Sequence, residues 1–458
     1  MIMSAVLEKF IRHSPVTVMM RAAMEHALDP VAVDAMFERT AERQYVRDLL
    51  FSSVVDLVSL VVAKIQPSIH AAYEMVRETL PVTLTSIYNK LNATEPSVAA
   101  GLVGHTAQRL GKVIDAMGGC VSALLPGYRV RILDGNHLAS TERRLEPLRE
   151  SKAGPRPGFA LVVLDPQMML ATDMIPCEDA HTQERALTPA ILELSCARDV
   201  WIADRNFCTT ALLTGWAARG SFFVIRHHAN MSFASAGTRR LRGHTETGQV
   251  YEQPVTITGS LGDVMQLRLI TLCLDKPTRD GDKEICILTN LPATVASATA
   301  VAKLYRNRWT LETMFLTLTQ ILRGEVETLG YPRAALLAFA LALVTFNIYS
   351  TVQAALRAEF GVEKVERELS DYAVANEVQI TMRGMEIAVD AQKLEAYQTM
   401  PPEVLGAELR RYAKSVRLSH FKKHPRGPKK PTHKRTKYAD LPHVSTARIL
   451  AGTTGSGS

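Results

Sequence analysis

Residues 128–135 read YRVRILDG, and they mark the place where the chain changes its hydrophobic period. Before them, up to about Gly119, every periodic segment is helical. The runs around 31–41, 45–65, 69–79 and 97–117 carry apolar residues three and four apart, interrupted at Pro30, Pro67, Pro81 and Asn92. From Tyr128 onward, 128–133, 159–164 and 168–174 read as three strands, the last two joined by the turn Asp165-Pro166. A helix over about 181–197, a strand over 200–203, a helix over 210–218 and a strand over 221–226 follow. The order β-β-β-α-β-α-β predicts a mixed sheet with an antiparallel start and parallel crossovers, covered by helices. Between about 232 and 292 the pattern alternates, in QVYEQPVTITG, VMQLRLITLCL and KEICILTNLP, which reads as a β-rich insertion. Helix returns at Ala296 and, beyond Gly361, continues to about Val416.

The expected class is therefore α/β: a mixed sheet flanked by helices and interrupted by a β-rich insertion. An all-helical N-terminal domain precedes it, and a helical C-terminal region ending in a basic arm follows. The expected boundaries are 1–125 for the helical domain and 126–231 for the first part of the sheet domain. The insertion takes 232–295, the second part of the sheet domain 296–360, the C-terminal helices (a candidate dimerisation region) 361–416 and the Pro-rich tail 417–458.

Composition narrows the class. The chain has 458 residues, ample for a large core and two to four structural units. Six cysteines lie scattered without a CxxC pair, which argues against a zinc ribbon or a disulfide framework and fits a reduced, intracellular protein. Residues 334–353 form twenty uncharged positions, long enough to span a membrane. Asn347, Ser350, Gln353 and two threonines crowd their second half, so a helix buried inside a large domain is the expected reading, with no membrane partner. The net charge of +7 is concentrated: residues 417–437 hold nine Lys/Arg and no acid, leaving the rest at −2 (7 − 9). That Pro- and Gly-broken stretch, with Lys422, Lys423, Arg426, Lys429 and Lys430, reads as an extended arm that binds polyanions by counterion release. A merely solubilising tail is the other reading. The closing GTTGSGS reads as flexible linker.

Two acids follow predicted buried strands: Asp134 before Gly135, and Asp204 in VWIADRNF. Open α/β sheets place ligands at such strand ends, so neighbouring strands would bring the two carboxylates together. A third acid, Glu312, stands in LYRNRWTLETMFLTLTQIL with Tyr305 and Arg308 at helical offsets. At roughly 100° per residue, Tyr305 falls near +20° and Arg308 near −40° from Glu312, beside a stripe of leucines. A carboxylate next to an arginine suits either a metal-bound phosphate or a plain surface ion pair. Three oxygen donors without histidine or cysteine suit Mg²⁺ or Mn²⁺, and two such ions would serve a phosphodiester displacement. Asp165, Asp173, Glu178, Asp179 and Glu184 are rival acids. Asp165 reads better as a turn residue, and Glu178-Asp179 as a helix-opening cap. His137 reads as a hydrogen-bonding partner beside a strand end. P-loop, Rossmann, GxSxG and HExxH patterns do not occur.

The succession strand-Asp134-Gly135, strand-Asp204-Arg205, β insertion closing on TNLP (residues 289–292), then Tyr305-x2-Arg308-x3-Glu312 resembles the DDE transposases of bacterial insertion sequences. More narrowly, it is similar to the cut-and-paste group with a Tyr-Arg-Glu-Lys signature and a β-strand insertion, the insertion-sequence-four family. The likeness spans roughly residues 1–450. It implies an RNase H-like catalytic domain and two divalent ions, Mg²⁺ or Mn²⁺, held by Asp134, Asp204 and Glu312. It also implies a homodimer on double-stranded DNA, both terminal inverted repeats and target, and strand transfer through a hairpinned end. The expected setting is a bacterial cytoplasm, on the nucleoid. Tyr305, Arg308 and, more weakly, Arg226 become contacts to DNA phosphates. The chain departs from the pattern at Thr319, where the signature calls for lysine: a hydroxyl can donate to a phosphate but brings no charge. All three tryptophans lie outside the β insertion, leaving Tyr251 or Phe233 to stack on a flipped base. The alternative function is an impaired or domesticated transposase that binds DNA without cutting it.

Overall fold

The computed structural model describes residues 5–43, 49–78, 80, 82–149, 154–259, 262–278, 281–322, 324–423 and 443–452. Helices come first: Ala5–His13, Pro15–Ala27, Pro30–Thr40, Phe51–Val62, Ile69–Val76, Leu84–Ala93 and Pro96–Ala116. Their starts are written in the sequence. Pro15, Pro30 and Pro96 occupy first turns, where the missing N–H costs nothing, and Asp29, Ser68 and Thr83 accept from the N–H of Val31, Ala71 and Ser86.

Twelve strands are present among the described residues: β1 (Arg129–His137), β2 (Pro155–Arg156), β3 (Phe159–Asp165), β4 (Leu170–Cys177), β5 (Asp199–Ala203), β6 (Phe222–Arg226), β7 (Ala234–Ser235), β8 (Arg240–Thr245), β9 (Gly248–Thr258), β10 (Val264–Leu274), β11 (Glu284–Thr289) and β12 (Val444–Ser445). The main sheet runs β4-β3-β1-β5-β6-β11-β10-β9-β7, with β8 also on β9. β1 pairs antiparallel with β3 and parallel with β5, and β5 pairs parallel with β6. This mixed α/β order is consistent with an RNase H-like sheet. The β-rich segment continues the same sheet, because β11 pairs antiparallel with β6.

Period-two patterning sorts the central strands onto two faces. Val130, Ile132, Val162, Val200, Ile202 and Val224 face the core shared with the helices, whereas Leu133, Leu161, Trp201, Ala203, Phe223 and Ile225 face the opposite core. There Trp201 stacks on Trp216 with ring centroids 5.5 Å apart. The helix Pro332–Phe360 is apolar enough to cross a membrane, and 94% of its apolar window is buried within the protein. Its Asn347 explains how a polar residue fits there: the side-chain amide donates to Ala171 O and accepts from Ala171 N, each at 2.8 Å. The side chain thus pairs with β4 at the place where its register shifts.

Several expectations change. β1 extends to His137, so Asp134 lies within the strand and not past its end. The expected helix over 181–197 is a 3₁₀ turn, Glu184–Leu187, followed by the short helix Thr188–Glu193, because Pro189 cannot donate within a continuous helix. The single helix expected through Tyr305 and Glu312 is two, Ala298–Arg306 and Trp309–Leu316, the second running on into a wider turn at Thr317–Ile321. Asn307 stops the first by donating its side-chain amide to Lys303 O and Leu304 O, at 3.1 and 3.4 Å. Residues 443–452 belong to the folded protein: β12 pairs parallel with β2, and Arg448 bridges to Asp179 at 2.8 Å.

Candidate functional site

Register brings the first two predicted acids together. Leu133 pairs with Ala203, and Ala203 with Ile225, so the next residues along β1, β5 and β6 are Asp134, Asp204 and Arg226. All three extend the parity of Ile132, Ile202 and Val224 and so look toward the face that shares its core with the N-terminal helices and the helix Pro332–Phe360. At this row the parallel partner of β1 ends, while its antiparallel partner β3 continues through Val162. The opening between β1 and β5 is the sheet-edge crevice that parallel strands offer to ligands. Each aspartate turns an oxygen onto the N–H that follows it: Gly135 N to Asp134 at 2.9 Å, Arg205 N to Asp204 at 2.6 Å.

Arg308 closes the row from above. It sits in the turn between the two helices, donates to Asp134 Oδ2 at 3.1 Å and forms an ion pair with Glu312 Oε1 at 2.6 Å. The break at Asn307 therefore leaves the expected group intact, since Asn307 and Arg308 keep right-handed helical dihedrals. The Arg308 backbone N–H donates to Tyr305 O at 3.0 Å, and the Arg308 charge acts on the Tyr305 phenol. Burial pushes that phenol up to about 12, so it stays protonated and can donate. Arg308 Nε is buried and has no hydrogen-bond partner. A buried guanidinium N–H aimed at nothing is costly and marks a place for an absent acceptor.

The electrostatics are those of crowded acids. Burial raises Asp134 to about 6, and the charges of Asp204 and Glu184 push the same way. Arg308 and the Gly135 N–H pull it down. Glu184, counted among the rival acids, belongs to this neighbourhood. Burial and the charge of Asp204 raise its carboxyl, and a hydrogen bond with Asn206 opposes them. Gly135 makes room for it, since a Cβ there would stand 1.9 Å from Glu184 Oε1. The sequence carried a signal for this: Glu184-Arg185 repeats the acid–arginine order of Asp204-Arg205.

The donor chemistry suits a hard divalent cation, because Asp134 and Asp204 are neighbouring carboxylates, and burial favours protonation of Asp134, which a cation would oppose. Glu312 stands off. Its side chain is 53% exposed and held by Arg308, and no group of three His, Cys, Asp or Glu converges on one point among the described residues. Other expected contacts fall differently. Arg226 is in the row but pairs with Asp282 at 2.7 Å. Thr319 is half-buried and its hydroxyl donates to Leu316 O at 3.5 Å. His137 faces the opposite side, stacked near Phe159. Tyr251 lies under Arg239, 4.4 Å from its ring, and Phe233 packs edge-on to His227. Trp309, between Arg308 and Glu312, is 60% exposed. Lys422 and Lys423 adjoin the bridge to Leu369, with Lys423 N donating to Glu368 O, whereas Arg426, Lys429 and Lys430 lie outside the described residues.

No curated protein matches the chain. Residues 125–348 match the family model described as the transposase DDE domain, a stretch that includes the row Asp134–Asp204–Arg226, the β-rich segment and the Arg308–Glu312 pair. Over that span the chain is similar to the transposase DDE domain, and the likeness supports a DDE transposase.

Proposed function

We propose that the protein is a DNA transposase of the insertion-sequence-four type, which excises and inserts an element by phosphodiester hydrolysis and strand transfer through a hairpinned end. The observation that carries this reading is Arg308. It lies over two neighbouring aspartates with a buried N–H that lacks an acceptor, where a DNA phosphate would supply one. Asp134, Asp204 and Glu312 would hold the divalent ions, Mg²⁺ or Mn²⁺, that DDE domains generally use. Bound there, the metal would activate the attacking oxygen and stabilise the leaving one. The chain's own groups do the rest. Arg308 and the protonated Tyr305 orient the phosphate by donation, and Arg226 adds positive charge once Asp282 releases it. The partners are double-stranded terminal repeats and target DNA, the working form is a homodimer, and the setting is a bacterial cytoplasm.

The test is divalent-metal-dependent cleavage of DNA bearing the element's ends by Asp134→Ala, Asp204→Ala and Glu312→Ala proteins. Each is expected to lose cleavage while retaining end binding, and full cleavage by any of them removes that residue from the site. A second reading, a protein that binds DNA without cutting, draws on Thr319 and on the hold of Arg308 over Glu312. Wild-type protein that shifts terminal-repeat DNA yet never nicks it in Mg²⁺ or Mn²⁺ would establish it.

A further inference from the structure

Beside the turn after β5 lies a pocket that the cleavage chemistry leaves unused. Two acid–arginine pairs meet there: Glu184-Arg185 opens the turn Glu184–Leu187, and Asp204-Arg205 opens the turn Arg205–Phe207. In each pair the acid belongs to the neighbourhood of Asp134. The arginine, one Cα step of about 3.8 Å further on, lines a cavity of about 180 Å³. Thr209, His228 and Asn230 add donors, and no carboxylate lines the cavity. The other arginines of the region are engaged, Arg226 by Asp282 and Arg308 by Asp134 and Glu312. Among the described residues, the guanidinium groups of Arg185 and Arg205 make neither ion pair nor hydrogen bond. Two like charges held at one cavity repel, unless an anion lies between them.

The geometry points to a binding site for a backbone phosphate of the DNA strand that crosses Asp204, clasped by Arg185 and Arg205. Guanidinium forks match phosphate oxygens two at a time, and the cavity has room for a phosphate with part of its sugar. This site supplies, from the sheet side, the positive charge that the glutamate helix lacks at Thr319. It rests on the reading of Asp204 as part of a phosphodiester-cutting site.

The experiment compares full-length wild type with the Arg185→Ala/Arg205→Ala and Arg185→Lys/Arg205→Lys double variants, binding a short single-stranded oligonucleotide over a range of salt. The alanine variant should lose about 0.7 from the slope of log affinity against log salt, the share of the one phosphate neutralised, and the lysine variant should keep the wild-type slope. An unchanged slope in the alanine variant overturns the proposal. Stabilisation of wild type by millimolar inorganic phosphate together with an unchanged oligonucleotide slope also overturns it, because the ligand is then a free phosphate. Wild type that cuts DNA while the alanine slope is unchanged leaves the cleavage reading standing and removes this site. A reduced slope in protein that never cuts does the reverse.

Discussion

Arg308 stands 3.1 Å from Asp134 and 2.6 Å from Glu312, bridging a strand and a helix that are 174 residues apart in the chain. Its charge lowers the Asp134 carboxyl, which burial holds at about 6. Removing that charge must raise the carboxyl further. Arg308→Ala is expected to move the acid limb of the cleavage pH profile to higher pH and to cut the maximal rate by ~10². Arg308→Lys should keep the limb near its place while losing the two-pronged geometry. An unmoved limb in the alanine variant would show that the bridge is only an ion pair.

Gly135 and Glu184 offer a steric test of the same neighbourhood. Gly135→Ala places a methyl group where Glu184 Oε1 now lies, and the flexible carboxylate must give way. Loss of folding stability is expected to be small, about 1 kcal/mol, because the displaced group is a side-chain end. Cleavage is expected to fall more than stability does. In Gly135→Ala/Glu184→Ala the stability losses should sum to less than the two singles, as for any pair in contact, and strict additivity would place Glu184 away from Gly135.

Asn347 ties the long buried helix to β4. Asn347→Leu leaves the N–H and the C=O of Ala171 buried without partners, each worth about 1–3 kcal/mol. A loss of ~2–4 kcal/mol is expected from chemical denaturation. A loss below about 0.5 kcal/mol, the range of ordinary surface substitutions, would mean that the amide pairing is dispensable.

His26 makes stability depend on acid. Burial, helped by the charge of Arg109, lowers its imidazole to about 4, so the folded protein keeps it neutral where an unfolded chain takes up a proton. Stability is therefore expected to fall as pH drops from about 6.5 to about 4, by a few kcal/mol at most, on the linkage between shift and proton uptake. Denaturation curves of wild type and His26→Gln across that window should converge at the acid end. Parallel losses in the two proteins would assign the acid sensitivity elsewhere.

Charge in the basic stretch is testable without truncation, which would also remove the buried Leu418 and Phe421 and the docked β12. Arg426→Gln/Lys429→Gln/Lys430→Gln is expected to flatten the salt dependence of duplex binding by about 0.9 for each phosphate that the stretch no longer neutralises. An identical slope would leave the stretch as a solubilising segment.

Much of this was legible from residues 128–226. Alternation and strand-end acids are local, so the β-β-β-α-β-α-β order and the pair Asp134 and Asp204 could be read directly. Tyr305, Arg308 and Glu312 were legible for the same reason, as helical offsets survive the turn at Asn307. What the sequence left hidden depended on pairing between distant segments. The extension of β1 past its parallel neighbour, the joining of β11 to β6 and the docking of β12 on β2 are ladder choices that no local period encodes. Glu184 reached the site, and Arg185 the cavity beside it, only because Pro189 shortened the expected helix into a turn against Asp204. By itself the sequence determined which side chains have the right chemistry, since period and residue type are properties of short stretches. The tertiary structure alone decided which of them share one low-dielectric crevice, because burial and charge act through space and not along the chain.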